Sequence, residues 1–243
     1  MLYDKRNTDL STVSAIILAG GRGTRISEYT KIIPKPMIKI NGKPIITYII
    51  NHYAKFGVKN FYITLGYKGF VIKNYFKKYK KKFNQLKINL IETGNSTMTG
   101  GRLLRLKSIM KESNFFLTYG DGVSNVNLKK LFKLHKSKNK IATLTAVRPP
   151  ARFGSIKLSG NNVKYFKEKS NLDEGWINGG FFVLNKKIFK YLKNDKTYLE
   201  REPFEKLVKS KNLVAFKHND FWQCMDTIRD KEILEEKIKK YKF

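Results

Sequence analysis

Apolar residues in the first two thirds of the chain recur at two alternating spacings. Val13 to Ala19 is a near-continuous apolar run of the kind a buried strand needs. From Pro44 to Phe56 the spacing changes, and Ile45, Ile46, Ile49, Ile50 and Tyr53 recur at three and four residues, which predicts an amphipathic helix. "NFYITLG" predicts a second strand, followed by a helix with Ile72, Tyr75, Phe76 and Tyr79 inward. "LKINLIE" predicts a third strand, "GGRLLRLKSIM" a helix burying Leu103, Leu106 and Met110, and "NFFLTYGDG" a fourth strand. "LKKLFKLHK" places Leu128, Leu131, Phe132 and His135 on one helical side, and "KIATLTAV" predicts a fifth strand. His135, on that apolar stripe, is expected in the core rather than in catalysis. This β-α-β-α order implies an α/β fold with an open, doubly wound, mostly parallel sheet. Ligands of such sheets bind beyond the carboxyl ends of the strands.

After Pro149 and Pro150 the rhythm breaks into "FGSIKL", "NVKYFKEK" and "GWINGGFFVL", expected as short antiparallel strands capping the site. The end returns to helix, with Leu234, Ile238 and Tyr241 as its inner face. With no internal repeat or low-complexity linker, residues 1–243 are expected to form a single domain in which 1–13 are an N-terminal extension. At 243 residues and 41% hydrophobic content the chain can bury one sizeable core.

No stretch approaches the roughly 18 uninterrupted apolar residues of a membrane helix. The opening "MLYDKRNTDLST" has no apolar signal region, so a cytoplasmic protein without a membrane partner is expected. Cys224 is the single cysteine, and His52, His135 and His218 lack zinc-ligand spacing. The net charge of +31 admits nucleic acid, an acidic membrane or a solvated surface as its explanation. The excess lysines lie along the whole chain, and the densest run, "KKYKKK" at Lys77 to Lys82, continues a helix-like segment, which favours a solvated face. No zinc finger, RNP-type strand or helix-turn-helix singles itself out, so no specific nucleic-acid partner is expected.

The first apolar run breaks into "GGRGTRISEYTKIIPKP". This is not a Walker loop, which needs a Gly-Lys-Ser/Thr ending that opens a helix, nor a dinucleotide fingerprint, whose third glycine would fall at Ile26. Pro34 and Pro36 are expected to keep the chain extended. Gly20, Gly21 and Gly23 admit positive φ, so that backbone N–H groups can converge on a phosphate, with Arg25 and Lys35 supplying charge. Asp121 in "FFLTYGDG" and Asp226 in "FWQCMDT" each end an apolar run, and two such carboxylates suit Mg2+, which takes hard oxygen ligands. Taken alone, Asp121 reads equally well as the end of a turn. Asn178 and Gly179 in "WINGG" offer an amide and a bare backbone that a ligand can approach closely, or else form a tight turn.

"ILAGGRGTRISEYTKIIPKPMIKINGKPII" resembles the opening signature of the sugar-1-phosphate nucleotidylyltransferases, a Gly-x-Gly-Thr-Arg loop followed by Pro-Lys-Pro. "GNSTMTGGRL", "TYGDG", "RFGSIKL", "WINGGFFVL" and "FWQCMDTIRDK" resemble the glucose-1-phosphate cytidylyltransferase branch in particular. The resemblance runs from Ser14 onward over nearly the whole chain. It implies a Rossmann-like sheet of the nucleotide-diphospho-sugar transferase type with a small antiparallel sugar-binding portion. It implies transfer of a cytidylyl group from CTP to a sugar 1-phosphate, giving a CDP-sugar for surface-polysaccharide precursors and pyrophosphate, with Mg2+ as cofactor.

By the same resemblance the nucleotide site is expected over Leu18, Ala19, Gly20, Gly21, Arg22, Gly23, Thr24, Arg25, Lys35, Thr97, Arg102 and Gly120. Arg25, Lys35 and Asp121 are the expected catalytic groups, and Asp121 with Asp226 the metal ligands. Glu168 and Lys169, with Asn178 and Gly179, are expected to hold the sugar phosphate. Thr97 and Arg102 fall near the base, with Gly100 and Gly101 letting a helix begin there; the alternative for Arg102 is a surface arginine early in a helix. The expected partners are the small-molecule substrates and further copies of the chain in a homo-oligomer. Three alternatives stay open: another nucleotide or acceptor on the same framework, a nucleic-acid-binding protein, and a silent regulatory relative. The cytidylyltransferases carry a longer insertion where this chain runs directly from Tyr79 to Leu90.

Overall fold

The computed structural model describes residues 8–149, 155–167 and 175–241. Seven strands form the main sheet: β1 (Ala15–Leu18), β2 (Asn60–Leu65), β3 (Lys87–Glu92), β4 (Asn114–Tyr119), β5 (Ala142–Val147), β6 (Ile177–Asn185) and β7 (Leu213–His218). Their order is β7-β5-β6-β4-β1-β2-β3. Every neighbouring pair is parallel except those made by β6, which runs antiparallel to both β4 and β5. The fold is therefore the expected doubly wound, mostly parallel α/β sheet, with one correction. "GWINGGFFVL" supplies a central strand of that sheet, because Phe181, Phe182, Val183 and Leu184 are buried on both faces. "FGSIKL" and "NVKYFKEK" do form a small antiparallel pair, Ser155–Ser159 with Asn162–Lys167, and further small antiparallel pairs join Gly122–Ser124 to Trp222–Cys224 and Lys39–Ile40 to Lys43–Pro44.

Alternate strand residues point to opposite faces, and each face has its own cover. Ala15 and Ile17 of β1, with Phe61, Ile63 and Phe116, meet Ile46, Ile49, Ile50 and Tyr53 of α1 (Ile45–Lys55), Ile72 and Phe76 of α2 (Gly69–Lys78), and Leu128 and Leu131 from the helix Leu128–Lys138. Leu10 and Val13, from the N-terminal extension, complete this layer. Ile16 and Leu18 face the other way, with Phe115, Leu117 and Phe182, against Leu103 of α3 (Thr99–Leu104). Continuing chain order, the helix Leu128–Lys138 is α4, Glu202–Lys209 is α5 and Ile228–Tyr241 is α6; Phe204 and Leu207 of α5 close the second layer. A third cluster joins Ile26, Ile38 and Ile40 behind the glycine loop to Met225 and to Leu234 and Ile238 of α6, which packs the last helix against the segment that follows β1.

Two inner-face assignments change, and one helix is shorter than expected. Tyr79 ends α2 at 42% exposure and Tyr241 ends α6 at 41%, since each falls in a terminal turn that overhangs its layer. The third helix stops at Leu104, yet Leu106 and Met110 still reach the core from the turns that follow. His135 is buried and hydrogen-bonded to Thr143 and Asn114, as a core residue. Lys77 to Lys82 are exposed, on the end of α2 and the short 3-10 turn Lys80–Phe83. Among the described residues no helix is long and apolar enough to cross a membrane.

Candidate active site

The glycine loop leaves β1 at the carboxyl edge of the sheet. Only Gly23 of its three glycines takes a positive φ, 65°, correcting the expectation that all three serve that purpose. Gly20 is required for space: a Cβ there would lie 2.1 Å from Nη1 of Arg102. After Gly23 the chain coils through short helical turns, Thr24–Ile26 and Ser27–Thr30, pinned by Thr30 Oγ1 donating to the Gly23 carbonyl at 3.1 Å. Pro34 is extended, but Lys35–Met37 forms a 3-10 turn, so the Pro-Lys-Pro segment is not extended throughout; it instead turns Lys35 inward.

Asp121 and Asp226 are brought together by the two-strand pair below them. Cys224 lies opposite Gly122, and Met225 N donates to the Asp121 carbonyl at 2.9 Å, so the residues just outside that pair face one another. The Asp226 backbone is fixed by a reciprocal cap at the start of α6. Asp230 N donates to Thr227 Oγ1 at 3.1 Å, while the Asp230 carboxylate accepts from Thr227 N at 2.9 Å and Asp226 N at 3.1 Å. The Thr-x-x-Asp spacing in "DTIRD" was a readable sequence signal for this cap.

Between the two acids sits the Lys35 ammonium, donating to Asp121 Oδ2 at 2.7 Å and Asp226 Oδ1 at 2.5 Å. Arg25 reaches the other oxygen of Asp226 at 2.6 Å. Burial by itself would push the Lys35 ammonium down; the charges and hydrogen bonds of Asp121 and Asp226 outweigh it, and the net direction is up. The two carboxylates thus converge on one cation beside the glycine loop. Arg25 remains 74% exposed, so its ion pair is a weak, solvent-screened one.

Two compartments meet at this cluster. The first, about 400 Å3, is lined by Leu18, Ala19, Gly20, Gly21, Gly23 and Thr24, by Thr97 and Arg102, and by Gly120. The second, about 260 Å3, is lined by Asn178, Gly179 and Trp222. Arg25, Tyr119 and Asp121 border both, and Lys35 borders the first. Arg22 is exposed and lines neither. Glu168 and Lys169 lie outside the described residues.

Arg102 is not a surface arginine. It is buried, and its guanidinium donates to the carbonyls of Gly20 (2.8 Å), Gly94 (2.9 Å) and Leu65 (3.0 Å) and to Thr93 Oγ1 (2.6 Å). A helix does begin at Thr99, and Gly100 and Gly101 in its first turn pack closely on the segment around Asp195 and Thr197. Their N–H groups donate to the Thr197 carbonyl, and a Cβ at Gly101 would fall 2.5 Å from Asp195 O. In the second compartment Asn178 accepts from Gly180 N at 2.9 Å and donates to Tyr119 Oη at 3.3 Å, while Trp222 Nε1 donates to Gly179 O at 2.7 Å.

Glu200 and Tyr198 escaped sequence reasoning, since "TYLERE" carries no periodicity or motif. Glu200 accepts from Tyr119 Oη and from Thr99 Oγ1, both at 2.6 Å. Burial, then the Glu200 charge and hydrogen bond, push the Tyr119 hydroxyl far above its usual range, so it stays protonated.

The Nucleotidyl transferase family profile matches residues 14–230. The glucose-1-phosphate cytidylyltransferase of Salmonella typhi is 44% identical over 243 residues, covering 92% of this chain and 95% of that one. The D-glycero-alpha-D-manno-heptose 1-phosphate guanylyltransferase of Campylobacter jejuni is 36% identical over 197 residues, covering 81% and 85%. Among solved structures, HddC from Yersinia pseudotuberculosis complexed with GMP-PN superimposes with a TM-score of 0.73 at 26% identity, covering 93% of this chain and 100% of that one. With the glycine loop, the paired aspartates and these likenesses in agreement, the chain belongs to the nucleotidyl transferase family and is a nucleotidyltransferase.

Proposed function

We propose that this enzyme takes a sugar 1-phosphate as acceptor and CTP as donor, with glucose 1-phosphate the first acceptor to test, giving a CDP-sugar and pyrophosphate. The observation that carries the reaction class is the convergence of Asp121, Asp226, Lys35 and Arg25 beside the glycine loop, where two compartments meet. The choice of CTP and glucose 1-phosphate rests on the Salmonella relative's name. A second donor, GTP, is favoured by the Campylobacter guanylyltransferase and by the GMP-PN complex of HddC. Together these likenesses support nucleotidyl transfer to a sugar 1-phosphate more broadly than they support one substrate pair.

The donor set fits a magnesium ion. Two carboxylates are what that ion usually takes from a protein, the rest of its shell being water and phosphate oxygen. Asp121 and Asp226 would be its holders, because their carboxylates already converge on one cationic group, the Lys35 ammonium; among the described residues no cluster of three or more ligating side chains is present. When bound there, the ion would neutralise charge on the donor's phosphates.

The chain's own groups do the rest by placement. Loop amides and Arg25 bind the triphosphate, and Lys35, held at the junction, faces the reacting phosphates. Asn178 and the Gly179 backbone orient the sugar, with Glu168 and Lys169 assigned to the same task. No enzyme nucleophile is required, because the acceptor's phosphate oxygen attacks the α-phosphorus directly and pyrophosphate leaves. Catalysis then consists of aligning two polyanions and offsetting their charge. Pyrophosphate release from each of the four nucleoside triphosphates, against a panel of sugar 1-phosphates with and without magnesium, tests the proposal. Fast turnover with CTP and glucose 1-phosphate supports it; fast turnover with GTP alone replaces the donor, and no turnover with any pair rejects the reaction.

A further inference from the structure

The segment 195–201 is fastened to the start of α3 along most of its length. Met98 N donates to Asp195 O at 2.8 Å, Gly100 N to Thr197 O at 2.9 Å, and Leu199 N to Thr99 Oγ1 at 3.0 Å. Arg105 grips the Asp195 carboxylate through both Nε and Nη2. This anchoring carries Tyr198 and Glu200 into the wall of the compartment that contains Gly20 and Gly21.

Glu200 is fully engaged there, with one oxygen on Tyr119 and the other on Thr99. Tyr119 is engaged as well: its hydroxyl is on Glu200, Phe182 meets it edge-on at 5.6 Å between centroids, and a Cβ at Gly180 would lie 2.5 Å from its ring. Tyr198 differs. It is 38% exposed, lines the compartment, and has the Arg201 guanidinium 4.2 Å from its ring centroid. A ring on an anchored backbone, braced by a cation and bordering a cleft, is suited to stack on a planar aromatic ligand.

We propose that Tyr198, braced by Arg201, is a nucleotide-binding residue that stacks on the base of the donor. The proposal rests on the nucleotidyl-transfer reading of the cleft. Phosphates belong at Gly20, Gly21, Arg25 and the two acids, and Asp226 does not line this compartment, so the nucleoside is assigned to the lining that includes Thr97, Met98 and Tyr198. Arg102, with its guanidinium committed to three carbonyls and Thr93, leaves the planar contact to Tyr198. Stacking accepts any base, so Tyr198 separates nucleotides from bare polyphosphates, not one base from another.

Calorimetric titration of the full chain with CTP, GTP and inorganic tripolyphosphate, in wild type and in Tyr198→Ala and Tyr198→Phe, tests this. Expected is a roughly five- to hundredfold loss of nucleotide affinity in Tyr198→Ala, with tripolyphosphate unaffected and Tyr198→Phe close to wild type. Unchanged nucleotide affinity in Tyr198→Ala overturns the proposal, as does an equal loss for tripolyphosphate, which would mean the ring only braces the segment. A wild type that binds nucleotides no tighter than tripolyphosphate rejects the donor reading itself, and this one with it.

Discussion

Arg102 donates from Nη2 to the carbonyl of Gly20 at 2.8 Å, and its guanidinium fills the space a side chain at position 20 would need. The glycine loop is thus held from beneath by a buried cation whose bonds go mostly to backbone carbonyls at the ends of neighbouring strands. Such a group adds rigidity at a high desolvation cost, and deleting it leaves buried acceptors without donors.

Arg102→Met should therefore destabilise the fold by about 3 kcal/mol and loosen the loop. Chemical denaturation and tripolyphosphate titration report the two effects. Gly20→Ala should weaken the same titration by pushing the guanidinium away, since its Cβ would lie 2.1 Å from Nη1, the nitrogen that bonds Leu65, Thr93 and Gly94; wild-type behaviour of both variants would remove Arg102 from this role.

Asp226→Asn takes a full charge from both Lys35 and Arg25. Turnover is expected to fall by about a hundredfold or more, with nucleotide affinity changed only a few-fold. Single-turnover kinetics beside calorimetry separate the two quantities, and near-normal turnover would count against a metal-holding role for this acid.

Trp222→Phe keeps most of the buried ring and removes the Nε1 donor to the Gly179 carbonyl. The KM for the sugar 1-phosphate should rise by about five- to tenfold, in keeping with one buried acceptor left unpaired, while the KM for the nucleotide stays put. An equal rise in both would show that the indole serves the whole cleft.

Acid should destabilise the protein through two core histidines. Burial pushes His52 and His135 down from 6.5 to about 4, with a same-sign neighbour, Lys136, assisting at His135 and a backbone bond to Val126 opposing at His52. Both are neutral in the fold and take up protons more readily when unfolded, so their contribution is complete above pH 6.5 and is lost as pH falls toward 4. The loss should total on the order of a few kcal/mol, seen as a falling Tm across that window. Replacing His135 with Gln should flatten part of the decline.

Much of the site was legible because its chemistry is local in the chain. The glycines, Arg25 and Lys35 fall within one loop, and Asp121 and Asp226 each terminate an apolar run. Other features depend on pairing, which spacing does not encode. "GGFFVL" reads alike as a capping strand or a central one, and only its partners β4 and β5 decide. The burial of Arg102 depends on carbonyls from three separate strand ends, and Tyr198 gains its place through anchors to Gly100 and Thr99 a hundred positions earlier. The glycine loop also shows that one residue type can satisfy different demands: conformation at Gly23, clearance at Gly20.

The reversed direction of β6 places two different chain segments at one rim. Because that strand runs against its neighbours, its first residues, Ile177 to Gly179, arrive at the same rim where β1 and β4 deliver the glycine loop and Asp121. On the proposed reading, acceptor preference can be rewritten at the entry of one strand while the phosphate cradle, borne by another, is left alone, so divergence toward new sugars need not disturb the choice of donor.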